Sequence, residues 1–186
     1  MISRHFLYRR QKLLTFCIFA LYWYQLILFR RMRYPTLADI RTRIETELEV
    51  LSYLQNLRYA LENGAKLTFQ KERQVDNRRD LRYTNRFTVA DLFPDDDPVD
   101  ALKREPQKLT IEEYIQTVKD LRFPNRSEMR EFGKIYDGKG DVYIKIRVEL
   151  LSAYGNHTAF VMSFHYAEKP FITEMFPYRK KGSEKA

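Results

Sequence analysis

The chain has 186 residues, 44% hydrophobic and 15% aromatic, long and apolar enough for one domain with a buried core and too apolar for a disordered polymer. Its formal charge of +8 suggests a nucleic-acid partner, yet six of the 33 Lys and Arg lie in residues 1–31, which hold no acid. From Met32 onward 27 basic residues face 25 acidic ones, so any basic surface must be local. A single cysteine, Cys17, excludes an internal disulfide and a cysteine metal cluster and fits a reducing, cytoplasmic location. The three histidines lack metal-ligand spacing, and Asp95-Asp96-Asp97 lacks the glycine and closing glutamate of a calcium loop, so neither metal nor cofactor is expected.

In chain order, Leu13–Phe29 is seventeen residues without a charge, flanked by Arg9, Arg10 and Lys12 and by Arg30, Arg31 and Arg33. That is the shortest length that spans a bilayer, and no small-residue cleavage site follows it. Three readings of residues 1–31 stand: a membrane anchor, an extension upstream of a start at Met32, or a helix buried in the body or a partner. The body is expected to be one domain over residues 32–178, with a disordered tail over 179–186. Leu37–Leu61 repeats apolar residues at helical spacing (Leu37, Ile40, Ile44, Leu48, Leu51, Leu54, Leu57, Leu61), bounded by Pro35-Thr36 and Asn63-Gly64, and predicts one long amphipathic helix, or two with a break. Such a stripe serves either as core or as a surface for a partner.

Ala65–Gln70 alternates like a strand, and Lys71–Asn85 reads as a basic loop or an extension of that strand. Over Lys66–Arg86 seven basic residues face Glu72, Asp76 and Asp80. Thr88-Val-Ala-Asp91 predicts a short capped helix and Val99–Glu105 another. Thr110-Ile-Glu-Glu113 has the form of a capping box, with Ile111, Tyr114, Ile115, Val118 and Leu121 at helical spacing behind it, and predicts a helix ending before Pro124. Asn125–Gly133 predicts one further helical turn, and Lys134–Asp137 a strand leading through Gly138-Lys-Gly140 into a hairpin of two longer runs, Asp141–Leu150 and Thr158–Tyr166. The expected fold is α+β, with N-terminal helices packed on one face of a small antiparallel sheet ending in a three-stranded meander.

Both hairpin runs alternate with period 2. In the first, Val142, Ile144, Ile146, Val148 and Leu150 share the buried face and Tyr143, Lys145, Arg147 and Glu149 the other. In the second, Phe160, Met162, Phe164 and Tyr166 are expected in the core and Ala159, Val161, Ser163 and His165 opposite. Joining the greasy faces sets Tyr143 across from His165, because a slip of one residue would bury the charges. One sheet face then carries a phenol, two cations and an imidazole, open to solvent or substrate. Metal-independent RNA cleavage needs a base, an acid and cations for the phosphate, and His165, Tyr143, Lys145 and Arg147 are residues of those types. The plain alternative is a charged sheet face that serves solubility.

Thr88-Val-Ala-Asp-Leu92, Leu109-Thr-Ile-Glu-Glu-Tyr-Ile-Gln-Thr-Val118, Asp141-Val-Tyr-Ile-Lys-Ile-Arg147 and Phe160-Val-Met-Ser-Phe-His165 follow one another in an order that resembles the MqsR branch of the RelE-like mRNA-interferase toxins, with Asn63-Gly-Ala-Lys-Leu67 similar to that family's opening. The resemblance runs from about Leu57 to Tyr166 and rests on order and hydrophobic pattern. It implies a small α+β domain that cleaves mRNA, free or on the ribosome, and a cognate antitoxin as partner. The family's strand tyrosine falls on Tyr143, its terminal lysine on His165, and a basic helix residue on Gln116. Arg130 or Lys134 is expected to supply the charge missing there. The leucine-rich helix and residues 1–31 have no counterpart in the family, which leaves as the alternative a non-catalytic interaction protein or a membrane-anchored regulator on the same fold.

Overall fold

A computed structural model of the chain describes residues 40–71, 80–150 and 156–180, all within the unit Asp39–Ala186. The segment Leu13–Phe29, most of the basic loop and residues 181–186 lie outside the described residues. Among the described residues no helix is long and apolar enough to cross a membrane.

The fold is α+β. Six strands, β1 (Ile40–Arg43), β2 (Lys66–Phe69), β3 (Tyr114–Asp120), β4 (Met129–Tyr136), β5 (Gly140–Glu149) and β6 (Thr158–Tyr166), form one sheet in the order β1-β3-β4-β5-β6-β2. Every neighbouring pair is antiparallel except β2 with β6, which is parallel. The expected meander is thus present as the run β3 to β6. Helix α1 (Glu47–Glu62) buries Val50, Tyr53, Leu54, Leu57, Ala60 and Leu61. Its apolar face shares one core with Phe132, Ile144, Ile146, Val161 and Phe164 of the sheet, and Leu102 of α3 (Pro98–Arg104) joins them.

Several expected elements differ. The Leu37–Leu61 helix is shorter, because Ile40–Arg43 pairs with β3 and α1 starts only after Thr46, whose N–H donates to Glu49 Oε2 at 2.7 Å in a complete capping box. The second capping box forms too, with Thr110 N–H donating to Glu113 Oε2 at 2.8 Å, but it closes only the 3-10 turn Ile111–Glu113. The chain beyond it is β3, not helix: Tyr114-Ile-Gln-Thr-Val118 is rich in aromatic and β-branched residues, and strand partners on both sides outweigh the helical spacing. The helical turn expected near Asn125–Gly133 is replaced from Met129 onward by β4.

Helix α2 (Asn85–Leu92) is capped by Thr84, not by Thr88. β2 pairs only with Thr158–Val161, so the last residues of β6 have an edge that α2 fills with side chains. Asn85 Oδ1 accepts from the Phe164 N–H at 3.0 Å, Asn85 Nδ2 donates to the Met162 carbonyl at 3.0 Å, and Thr88 Oγ1 accepts from the Tyr166 N–H at 2.9 Å. The Tyr166 phenol donates to Asp91 Oδ2 at 2.6 Å and completes the docking.

The β5–β6 register has Tyr143 opposite His165, and shifts by one residue between Lys145 and Ile146. Met162 is the extra residue of a bulge, its carbonyl held by Asn85. The faces therefore exchange: Ala159 and Val161 are fully buried in the core, whereas Phe160, expected inside, stands opposite Arg147, and Met162 is half-buried.

The Tyr166 phenol, followed by the Lys139 ammonium, holds the Asp91 carboxyl below the usual aspartate range. A carboxylate depressed in the folded state stabilises the fold above its unfolded pKa, and that contribution is lost as pH falls through the folded value. Tyr166→Phe should raise the Asp91 pKa in an NMR titration, and the stability gap between parent and variant should be present at neutral pH and shrink in acid. An unchanged Asp91 titration would show that the phenol does not hold α2 in this way.

Candidate functional site

The face of β5 turned away from α1 carries the predicted residues in cross-strand order. Tyr143 lies between Gly133 of β4 and His165 of β6, with the tyrosine and imidazole rings 5.4 Å apart and tilted by 36°. His165 Nδ1 is 2.9 Å from the Tyr166 carbonyl oxygen. A carbonyl only accepts, so Nδ1 carries the proton and Nε2 is the basic nitrogen of the neutral ring. In the next row Lys145 lies between Glu131 and Ser163. Its ammonium meets Glu131 Oε1 at 2.8 Å, while Gln116 Nε2 donates to Glu131 Oε2 at 2.8 Å. Arg147 pairs through Nε with Glu149 Oε1 at 3.3 Å, and its guanidinium lies 5.3 Å from the Phe160 ring centre.

This face is not open, as the alternation implied. His165 is 8% exposed, and the Lys145 and Arg147 side chains are 17% and 16% exposed. Burying two cations is tolerable because each has a carboxylate beside it. Glu131 is the residue that reading the sequence missed. Period 2 carried back through the Gly138–Gly140 turn would have set it beside Lys145. Gln116, where the resembled family has a cation, joins this row as a donor to Glu131 and not as a charge.

Arg130 and Lys134 do not join the cluster. Arg130 pairs in register with Ile146, on the α1 side of the sheet, and stacks 4.4 Å over Tyr53. Its guanidinium grips Glu45 through Nη2–Oε1 at 2.6 Å and Nε–Oε2 at 3.1 Å, and Arg43 Nη2 reaches Glu45 Oε1 at 2.7 Å. Lys134 pairs with Glu113 at 3.5 Å on that same side. Alternation within β4 separates the two cations from Glu131, which lies one residue from Arg130 and three from Lys134.

Glu45 is 1% exposed, and its backbone is held as well, by Tyr114 Oη accepting from its N–H at 3.1 Å. It floors a cleft of about 560 Å³ between α1 and the end of β5, walled by Leu48, Ser52, Asn56, Val148 and Leu150. Burial pushes the Tyr53 phenol in this floor well above the usual tyrosine range, and it donates to the Ile146 carbonyl at 3.1 Å. At and beside the cleft mouth Ile44, Leu48, Leu51 and Leu150 are exposed, Leu48 by 73%. Among the described residues no group of His, Cys, Asp and Glu side chains is arranged to hold a metal ion.

No family model, no curated protein and no solved structure matches the chain.

Removing the Glu45 carboxylate strands the largely buried Arg130 guanidinium, while Arg43 keeps Glu128 at 2.9 Å. Glu45→Ala should lower unfolding stability by about 3 kcal/mol in denaturant titration, the range for breaking a buried ion pair. A loss below about 1 kcal/mol, the level of a surface pair, would place the organising force elsewhere.

Proposed function

We propose that the chain is a metal-independent endoribonuclease of the mRNA-interferase type, working on the Tyr143–His165 face. The observation that supports this reading is the direct pairing of a tyrosine with a histidine whose Nδ1 proton is fixed by a backbone carbonyl. Cleavage proceeds by attack of the ribose 2′-oxygen on phosphorus, forming a cyclic phosphate as the bond to the 5′-oxygen breaks. The 2′-proton passes to a base and the leaving 5′-oxygen receives one from an acid. His165 Nε2 serves as base or, once protonated, as acid, and the Tyr143 phenol assists the exchange. Lys145 and Arg147 stabilise the phosphorane charge, for which the phosphate must compete with Glu131 and Glu149. The substrate is RNA, free or as ribosome-bound mRNA, and the partner is a cognate antitoxin in the cytoplasm.

A second reading, a protein-interaction module, is favoured by a different observation. Ile44, Leu48 and Leu51 lie at helical spacing yet face outward, where burial by a partner would remove apolar surface from water. On that reading α1 is the working element and the sheet face is structural.

With EDTA present and ribosomes supplied in parallel, the full chain should cleave RNA. His165→Ala should slow cleavage by about 100-fold, the usual weight of a general acid or base, and Tyr143→Phe by less. A folded parent without activity in either setting would end the nuclease reading. The interaction reading predicts the reverse for growth inhibition on overexpression, which should be lost in Leu48→Asp/Leu51→Asp and kept in His165→Ala.

A further inference from the structure

The Tyr143–His165 pair is too buried for an RNA strand to reach the imidazole, so under the nuclease reading something beside it must move. The segment after β6 is positioned to do so. Ala167 N–H donates to the Asp141 carbonyl at 2.8 Å and Phe171 N–H to Asp141 Oδ2 at 2.6 Å, which turns the chain back across the start of β5. The segment then crosses β4 at Gly133. A Cβ on that glycine would stand 2.7 Å from Phe171 Cε2 and 2.9 Å from Phe176 Cε1, so the two rings lie on the bare backbone. They meet each other edge to face at 5.6 Å, and the Arg179 guanidinium covers Phe176 at 3.5 Å.

Gly133 is the direct cross-strand partner of Tyr143. Paired side chains share a face, so Phe171 and Phe176 lie over β4 on the face that carries Tyr143, with β5 between them and His165. The far end is fastened where the Tyr178 phenol donates to the Glu45 carbonyl and its ring stacks on Tyr114 at 6.1 Å. Between the fastenings Ile172 is 59% and Met175 38% exposed. Phe176 is buried at 4% exposure, but the segment pairs with no strand, and a stretch outside the sheet ladder opens at lower free energy than the strands beneath it.

We infer that Ala167–Lys180 is a strap that closes over the Tyr143–His165 pair and governs access to it. This regulation rests on the nuclease reading for its purpose, but the closure itself is testable without it. The absence of a side chain at position 133 is what lets the strap lie flat, since any Cβ would lift both rings.

The experiment is carbethoxylation of the full chain by diethyl pyrocarbonate, with His165 resolved from His5 and His157 by peptide mass spectrometry, alongside RNA cleavage. Phe171→Ala/Phe176→Ala and Gly133→Ala should each modify His165 severalfold faster than the parent, with unchanged circular dichroism, and should cut RNA faster by a similar factor. Tyr178→Phe, which removes one hydrogen bond, should show a smaller rise and keeps the test open if the double variant fails to fold. An unchanged His165 rate in folded variants overturns the strap. Faster modification with no RNA cleavage by parent or variants upholds the strap as a cover and ends the nuclease reading.

Discussion

The pairing of β5 with β6 is the constraint on which the remainder depends. Its two registers, joined at the Met162 bulge, decide which side chains meet α1 and which meet the far face. Before the bulge the pairing aligns Tyr143 with His165 and Lys145 with Ser163; after it Ala159 and Val161 enter the core beneath the helix. The bulge persists because it is satisfied on its own terms. Asn85 takes up the Met162 carbonyl and the Phe164 N–H together, so the interrupted ladder leaves no buried orphan at that edge. One helix side chain thus does the work of a seventh strand.

The charges on the two faces are arranged by the same alternation. On the far face Gln116 and Lys145 both donate to Glu131, one to each carboxylate oxygen. On the α1 face Glu45 sits between Arg43 and Arg130. Neither set is an open cationic patch, and the body's near-neutral balance is visible here as carboxylates placed beside cations. A phosphate would displace a carboxylate from either set and not fill an empty site. On the nuclease reading, phosphate binding would depend on Glu131 as much as on Lys145, a coupling that the cations alone would not suggest.

Much of this was legible in the residues. The strict period of Asp141–Leu150 and its junction with Phe164-His165-Tyr166 were enough to set Tyr143 against His165, because a slip of one residue would have buried charge. The strand Lys66–Phe69 and the short helix over Pro98–Arg104 were legible for similar local reasons. What failed was decided at longer range. Thr110 and Glu113 do form their capping box, but a cap closes one turn whatever follows, and Tyr114–Asp120 found strand partners on both sides. Ile40–Arg43 became an edge strand for the same reason. The bulge had no local signal, since Phe160 and Met162 fit the greasy face as well as Ala159 and Val161 do. Arg130 and Lys134 were assigned to the cluster to replace the charge missing at Gln116, while the strand was expected to begin only at Lys134, and the alternation of the longer β4 sent both to the other side.

The two functional readings occupy opposite faces of one sheet and so do not compete for residues. They meet at Glu45. Its side chain floors the cleft beneath Leu48 and Leu150, while its carbonyl receives the Tyr178 phenol that fastens the strap. A partner settling on α1 would press on the residues that hold Glu45 in place, and a shift of that backbone would move the strap's anchor. The distance from partner to imidazole is then spanned by one residue and one segment, with no rearrangement of the strands. On the nuclease reading, such a connection would let a partner on α1 act on a face it does not touch.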